Sequence, residues 1–255
     1  MIDIHSHILP GVDDGAQTME ESIEMAKAAV EEGITTIVAT PHHRNGEFDN
    51  YKHDIIIQVN ELNRVLKEKG IDLTVLPGQE TRINDALIKD IHKDEVLALN
   101  VDSTYVFVEF PHDHVPQYAS NLLFNLQVEG YQPIIVHPER NLKIQENPNI
   151  LYSFVKHGAF SQVTAGSIAG KFGKTAEKVS HQMIEANLTH LIASDAHDQK
   201  GRAFNMKKAY SKIEKQYGLS YVYFFQENAE YVIAGDTLAS DTPQHVKKKK
   251  VFGLF

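Results

Sequence analysis

Short β-branched runs recur along the chain, separated by longer amphipathic stretches, and this alternation restricts the fold more than any other feature. The runs are Ile2–Ile4, Thr35–Thr40, Leu73–Leu76, Val106–Phe110, Ile134–Val136, Phe160–Val163 and His190–Ala193. Period-2 runs joined by helical stretches read as βα units. Parallel strands joined by crossovers must wind with one hand, so seven such units predict an α/β fold, a TIM-like barrel one unit short of eight. An open doubly wound sheet is the competing architecture. Thr18 and Glu21 form a capping box ahead of Ile23, Met25, Ala26 and Ala29, and Gly33 supplies the stop. Further helices are expected over 51–69, 85–97, 116–129, 148–157, 172–187 and 202–217. Tyr221–Phe225 reads as a further strand, and Asn228–Gly235 as a final capped helix.

The 255 residues, 42% of them hydrophobic, suffice for one sizeable domain, expected over 1–246, with a tail at 247–255. There is no cysteine, which removes thiolate ligands, disulfides and cysteine nucleophiles. A formal charge of -9 argues against a nucleic acid ligand. No apolar run reaches the roughly 20 residues of a membrane span, and no leader pattern precedes His5, so a cytoplasmic protein is expected. The tail joins Lys247–Lys250 to Val251, Phe252, Leu254 and Phe255. That mixture suits an anionic membrane surface or a kinase partner, and equally a solvated end.

Six of the runs lead directly into ionisable residues. The first ends in His5 and His7, and the second in His42 and His43. Glu80 follows the third, Glu109 the fourth, His137 with Arg140 the fifth, and Asp195 with His197 the seventh. Any one of these is more simply a hydrogen-bonded strand-end residue, but six in register at one rim are a site, because barrel active sites form where strands end. Asp14 can join from the loop after the first strand, and Asp13 competes with it. Four or five imidazoles with four carboxylates exceed what a single ion needs. Two or three ions are expected, with Glu80 shared, and nitrogen and oxygen donors suit manganese, iron or zinc. The cations would cancel repulsion among the acids and lower the pKa of a bridging water.

The order His5-x-His7, Asp14, Pro41-His42, Glu80, Glu109, His137-Pro-Glu-Arg140 and Ser194-Asp195-x-His197 resembles the polymerase-and-histidinol-phosphatase (PHP) superfamily over nearly the whole chain. The opening Asp3-Ile-His-Ser-His-Ile-Leu-Pro-Gly-Val-Asp-Asp-Gly-Ala resembles the manganese-dependent protein-tyrosine phosphatases of bacterial exopolysaccharide operons. The resemblance implies a distorted (β/α)7 barrel, three Mn2+ ions, and phosphotyrosyl substrates that include a membrane-associated tyrosine kinase. It gives His5, His7, Glu80 and Asp195 to one ion, Glu80, Glu109 and His137 to a second, and Asp14, His42 and His197 to a third. Arg140 and Arg202 match its phosphate-contacting arginines, and a guanidinium can grip two phosphoryl oxygens at once. His42 and Asp14 are candidates for proton transfer. A small-molecule phosphomonoesterase such as histidinol phosphatase, a non-catalytic PHP scaffold and an amidohydrolase are the alternatives. His112 and His114 are expected on a solvated turn or rim, His43 behind His42, and Gly166–Gly170 in a rim turn rather than a phosphate loop.

Overall fold

A computed structural model describes residues 1–247. The expected tail contact rests on 248–255 and lies outside the described residues. The first half runs β1 (Ile2–Ser6), α1 (Met19–Glu31), β2 (Thr36–Ala39), β3 (His42–His43), α2 (Lys52–Glu68), β4 (Thr74–Pro77), β5 (Glu80–Arg82), α3 (Leu87–His92) and β6 (Tyr105–Glu109). The second half continues with α4 (Ala119–Val128), β7 (Gln132–Val136), a 3-10 turn (Pro138–Arg140), α5 (Leu142–Glu146), α6 (Asn149–Lys156), β8 (Phe160–Thr164) and α7 (Ala165–Ile168). It ends with α8 (Gly173–Glu185), β9 (Leu191–Ala193), α9 (Met206–Tyr217) and α10 (Leu219–Ala234).

The strands form two parallel sheets, ordered β1-β2-β4 and β3-β5-β6-β7-β8-β9. Two of the seven expected runs are each followed by a further short strand, β3 and β5, beyond a break at Pro41 and at Gly78-Gln79. Pro41 has no N–H to give a ladder. A side chain at Gly78 would come within 2.6 Å of Val38. Pairing resumes past both breaks, because the Gly78 and Glu80 N–H groups donate to the carbonyls of Ala39 and Pro41. At the far edge, the Asp195 N–H donates to the His5 carbonyl and the His7 N–H to the Ala196 carbonyl, each at 2.8 Å. Ser6 and Ala196 form a parallel bridge there.

Alternation along the strands divides the core in two. Ile4, Val38, Phe107, Ile134, Val136, Leu191 and Ala193 pack in one cluster with Ala229 and Val232 of α10. Their neighbours Ile37, Val106, Val108, Ile135 and Ile192 belong to the other, which takes in the apolar faces of the remaining helices. In α1 the Thr18 side chain accepts from the Glu21 N–H at 3.2 Å, while Glu21 reaches back to the Gln17 N–H at 2.6 Å.

The rim turn expected at Gly166–Gly170 takes the form of the single helical turn α7 and its exit, directly after β8. Two local expectations are corrected. Tyr221–Phe225 is helical, within the first half of α10 rather than a strand. Arg202 does not open a helix: the Asp198 carboxylate accepts the N–H groups of Lys200, Gly201 and Arg202 and holds a loop there. Helix α9 begins only at Met206, where Glu32 accepts the N–H groups of Asn205 and Lys207 at 3.1 and 3.0 Å.

His190, just before β9, is buried edge-on to Phe160, and its Nδ1 accepts the Ser161 N–H at 3.2 Å. Burial pushes its pKa down from 6.5 to about 4. Between those values the unfolded chain binds a proton that the folded ring refuses, so stability falls as pH drops below 6.5. His190→Gln should remove roughly 3 kcal/mol of the stability lost between pH 7 and 4. Urea unfolding at the two pH values checks this, and an unchanged pH dependence would contradict it.

Candidate metal centre

The parallel register carries the ionisable residues to one end of the sheets: His42 lies opposite Glu80, and Arg82 opposite Glu109. His5, His7, Glu80, Asp195 and His197 are buried, His42, Glu109 and His137 nearly so, and Asp14 is about half exposed. Among the described residues three groups offer donor atoms lying within 4.8 Å of one another: His5, His7, Glu80 and Asp195; His7, Asp14, His42 and His197; and His42, Glu80 and Glu109. The first is the expected set. In the second, His7 joins the expected three. In the third, His42 stands where His137 was expected, and His137 Nε2 instead lies 2.7 Å from Glu80 Oε1.

Glu80 is the hub. Its Oε2 lies 3.4 Å from Nε2 of both His5 and His7 and 2.9 Å from His42 Nδ1. Asp195 faces two ways, with Oδ1 3.3 Å from the Nε2 atoms of His5 and His7. Its Oδ2 takes Arg140 at 2.6 Å and Arg202 at 2.8 Å. Asp14 Oδ1 lies 3.3 Å from Nε2 of His42 and of His197.

The electrostatics are those of donors in need of cations. Burial disfavours a charge on Glu80, but His42 and His5 outweigh it and hold the carboxyl well below its ordinary range. Burial lowers His42, yet the Glu80 carboxylate prevails and raises it to about 10. His7 is likewise held up against burial by Asp13. Burial and the charge of Glu80 push Glu109 up to about 7. His137, lowered to about 3 by burial and Arg140, and His197, lowered to about 4 by burial and His7, stay neutral with a lone pair to offer. His42 Nδ1, Glu80 Oε2, Asp195 Oδ1 and His197 Nε2 lie close to other charged atoms, yet among the described residues none of them makes an aligned hydrogen bond, although buried polar atoms are almost always satisfied. Divalent cations would satisfy all four.

Around these atoms lies a set of orienting residues that spacing did not single out. Asp13 binds His7 Nδ1 at 2.7 Å and accepts the N–H groups of Gly15 and His42, so the competition between the two aspartates ends with Asp14 at the donors and Asp13 behind them. Gln162 Oε1 lies 2.9 Å from His5 Nδ1. Such partners fix a ligand's tautomer and ring plane. Gly15 is required, because a Cβ there would fall 2.0 Å from the His7 carbonyl oxygen. Arg82 grips Glu109 with two nitrogens at 2.9 and 3.0 Å. His137 and Asp195 hold positive φ values of 35° and 53°, a conformation uncommon outside glycine that histidine and aspartate tolerate better than most residues. His43 is buried behind His42 against Tyr51, while His114 sits exposed beside Asp113. A cleft of about 340 Å3 opens beside the centre, lined by Glu109, Phe110, His112, His137, Arg140, Phe172 and Arg202.

Fold and site together define a parallel α/β protein whose strand ends carry a buried histidine–carboxylate centre with donor atoms grouped as metal binding requires. The family model for capsular polysaccharide synthesis proteins, CpsB/CapC, matches residues 1–234, and the chain belongs to that family. It is 49% identical over 255 residues to the tyrosine-protein phosphatase YwqE of Bacillus subtilis (strain 168), with 100% of both chains covered. It is 40% identical over 255 residues to the putative tyrosine-protein phosphatase CapC of Staphylococcus aureus, again with 100% of both covered. A crystal structure from work on YwqE of B. subtilis and CpsB of Streptococcus pneumoniae, described as unique metal-dependent tyrosine phosphatases, superposes with a TM-score of 0.94 at 48% identity. That match covers 97% of this chain and 100% of the other.

Because His7 and His42 are held protonated by neighbouring carboxylates, a cation must displace protons to bind them. Mn2+ affinity should therefore rise with pH between about 6 and 9, with release of at least about one proton per protein at pH 7. Calorimetry in buffers of different ionisation enthalpy measures this. Binding without proton release would contradict it.

Proposed function

We propose that the protein is a metal-dependent protein-tyrosine phosphatase that acts on phosphotyrosyl proteins, among them a membrane-associated tyrosine kinase and enzymes of polysaccharide-precursor synthesis, and so regulates capsule or exopolysaccharide production. One observation carries the chemistry: buried, unpartnered donor atoms of His42, Glu80, Asp195 and His197 converge on one centre. The phosphotyrosyl substrate is supported by what the full-length relatives are called.

Three Mn2+ ions are the proposed complement, held by His5, His7, Glu80 and Asp195, by Glu80, Glu109 and His137, and by Asp14, His42 and His197. When bound, such ions supply Lewis acidity to phosphoryl oxygens and make a water nucleophilic near neutral pH. Arg140 and Arg202 then bind the remaining phosphoryl oxygens. Their shared anchor, Asp195 Oδ2, holds the two guanidiniums side by side at the mouth of the cleft. Fixed donors aimed at developing charge stabilise a transition state without reorganising. The tyrosyl oxygen leaves as a phenolate whose parent pKa is about 10, so a proton donor is not indispensable, and His42 and Asp14 would contribute by holding their ion beside the phosphoryl group rather than by giving up a proton.

The distorted (β/α)7 barrel remains the architecture we favour, supported by the hydrogen bonds from β9's exit to β1. Residues 1–246 would form the phosphatase unit, in the cytoplasm at the inner face of the membrane, with 247–255 as the docking tail. Among the described residues no helix is long and apolar enough to cross a membrane.

Chelator-stripped protein should lose hydrolysis of a phosphotyrosyl peptide and recover it with manganese, iron or zinc added singly, manganese restoring most. Full activity after stripping would overturn the mechanism. Arg140→Ala should cost roughly 2–4 kcal/mol of transition-state stabilisation, read from kcat/KM. Unchanged turnover would remove Arg140 from the site.

A further inference from the structure

Arg140 ends a three-residue turn and projects into the cleft, where a long flexible side chain gains little from charge alone unless something restricts it. Asp195 fixes one end of the guanidinium at 2.6 Å. The Phe172 ring, partly exposed on the cleft wall, covers its face at 5.3 Å from the guanidinium carbon, within cation–π range. Phe172 in turn rests on Gly166, where an added Cβ would lie 2.7 Å from Phe172 Cε2. The ring can occupy this position only because residue 166 has no side chain.

The same turn holds the other side of Arg140. Glu139, its buried neighbour, accepts the Thr164 N–H at 3.0 Å and the Ser167 hydroxyl at 2.7 Å. Backbone and guanidinium are thus both tied to residues 164–172, the segment that includes the small-residue sequence Gly166–Gly170.

We propose that Phe172 is a positioning residue for Arg140, seated by Gly166, and that the 164–172 segment presents this arginine to the phosphoryl group. The proposal rests on the reading of Arg140 as a phosphate-binding residue. Phe172 acts through Arg140, so its loss must weaken binding of the phosphoryl group itself, whether or not an aryl group is attached.

Inorganic phosphate, as a competitive inhibitor of the metal-loaded enzyme, is therefore the probe. Phe172→Leu keeps the apolar bulk and removes the π-face. It should weaken phosphate inhibition and lower kcat/KM by about tenfold, the scale of a partly desolvated cation–π contact, whereas Phe172→Tyr should stay within about twofold of the parent. Metal content and thermal stability should hold in both. Gly166→Ala, which displaces the ring, should reproduce part of the Leu effect and add little to it. In an Arg140→Ala background, Phe172→Leu should change phosphate inhibition by less than about twofold. Three results would overturn the proposal: unaltered phosphate inhibition in Phe172→Leu, a loss confined to aryl substrates, or an undiminished loss in the Arg140→Ala background. If Arg140→Ala alone leaves phosphate inhibition untouched, the phosphate-binding reading fails first and the proposal falls with it.

Discussion

Everything at the functional end of this molecule depends on bringing carboxylates and imidazoles into contact away from water. A buried carboxylate is unfavourable unless paired, and among the described residues Glu80 has no arginine or lysine in ion-pair contact, only the rings of His5, His7, His42 and His137. With protein atoms alone the charge is balanced by protonated rings, which is why His7 and His42 are held up while Glu109 rises to about 7. Cations would replace those protons and satisfy the lone pairs that protons leave idle. One constellation of residues thus accounts for both the unpartnered atoms and the displaced pKa values.

Asp195 joins the metal end of this chemistry to the phosphate end. One of its oxygens faces the histidine pair and the other holds both arginines. Any shift of β9 would therefore disturb both at once, and Ser194 stands guard over this by donating its hydroxyl and its N–H to Asp3 of β1. The neighbouring strands share their polar anchors just where their carboxyl ends must agree.

Much of this was legible in the sequence because a repeated signal is hard to imitate by chance: an ionisable residue after run upon run of β-branched residues. Pro41 and Gly78 mark the strand breaks with backbone chemistry that is readable one residue at a time. Other features were not legible. Asp13 and Asp14 are chemically identical neighbours, and only the path of the loop, pressed against His7 at Gly15, separates their roles. Gln162 and Arg82 are ordinary polar residues on strands until the register places them beside His5 and Glu109. The 202–205 segment reads as helical because propensity cannot show that the Arg202 N–H is already committed to Asp198 and the Asn205 N–H to Glu32. Phe172 read as one more aromatic, since nothing local shows which cation it will cover.

The central claim is that the carboxyl ends of these strands form a metal centre organised around Glu80. Anomalous diffraction from crystals grown with excess Mn2+ tests it most directly. The account predicts strong peaks within coordination distance of Glu80, one of them shared with His5, His7 and Asp195. Density without an anomalous peak at that position, in a protein still folded with all four side chains in place, would contradict it.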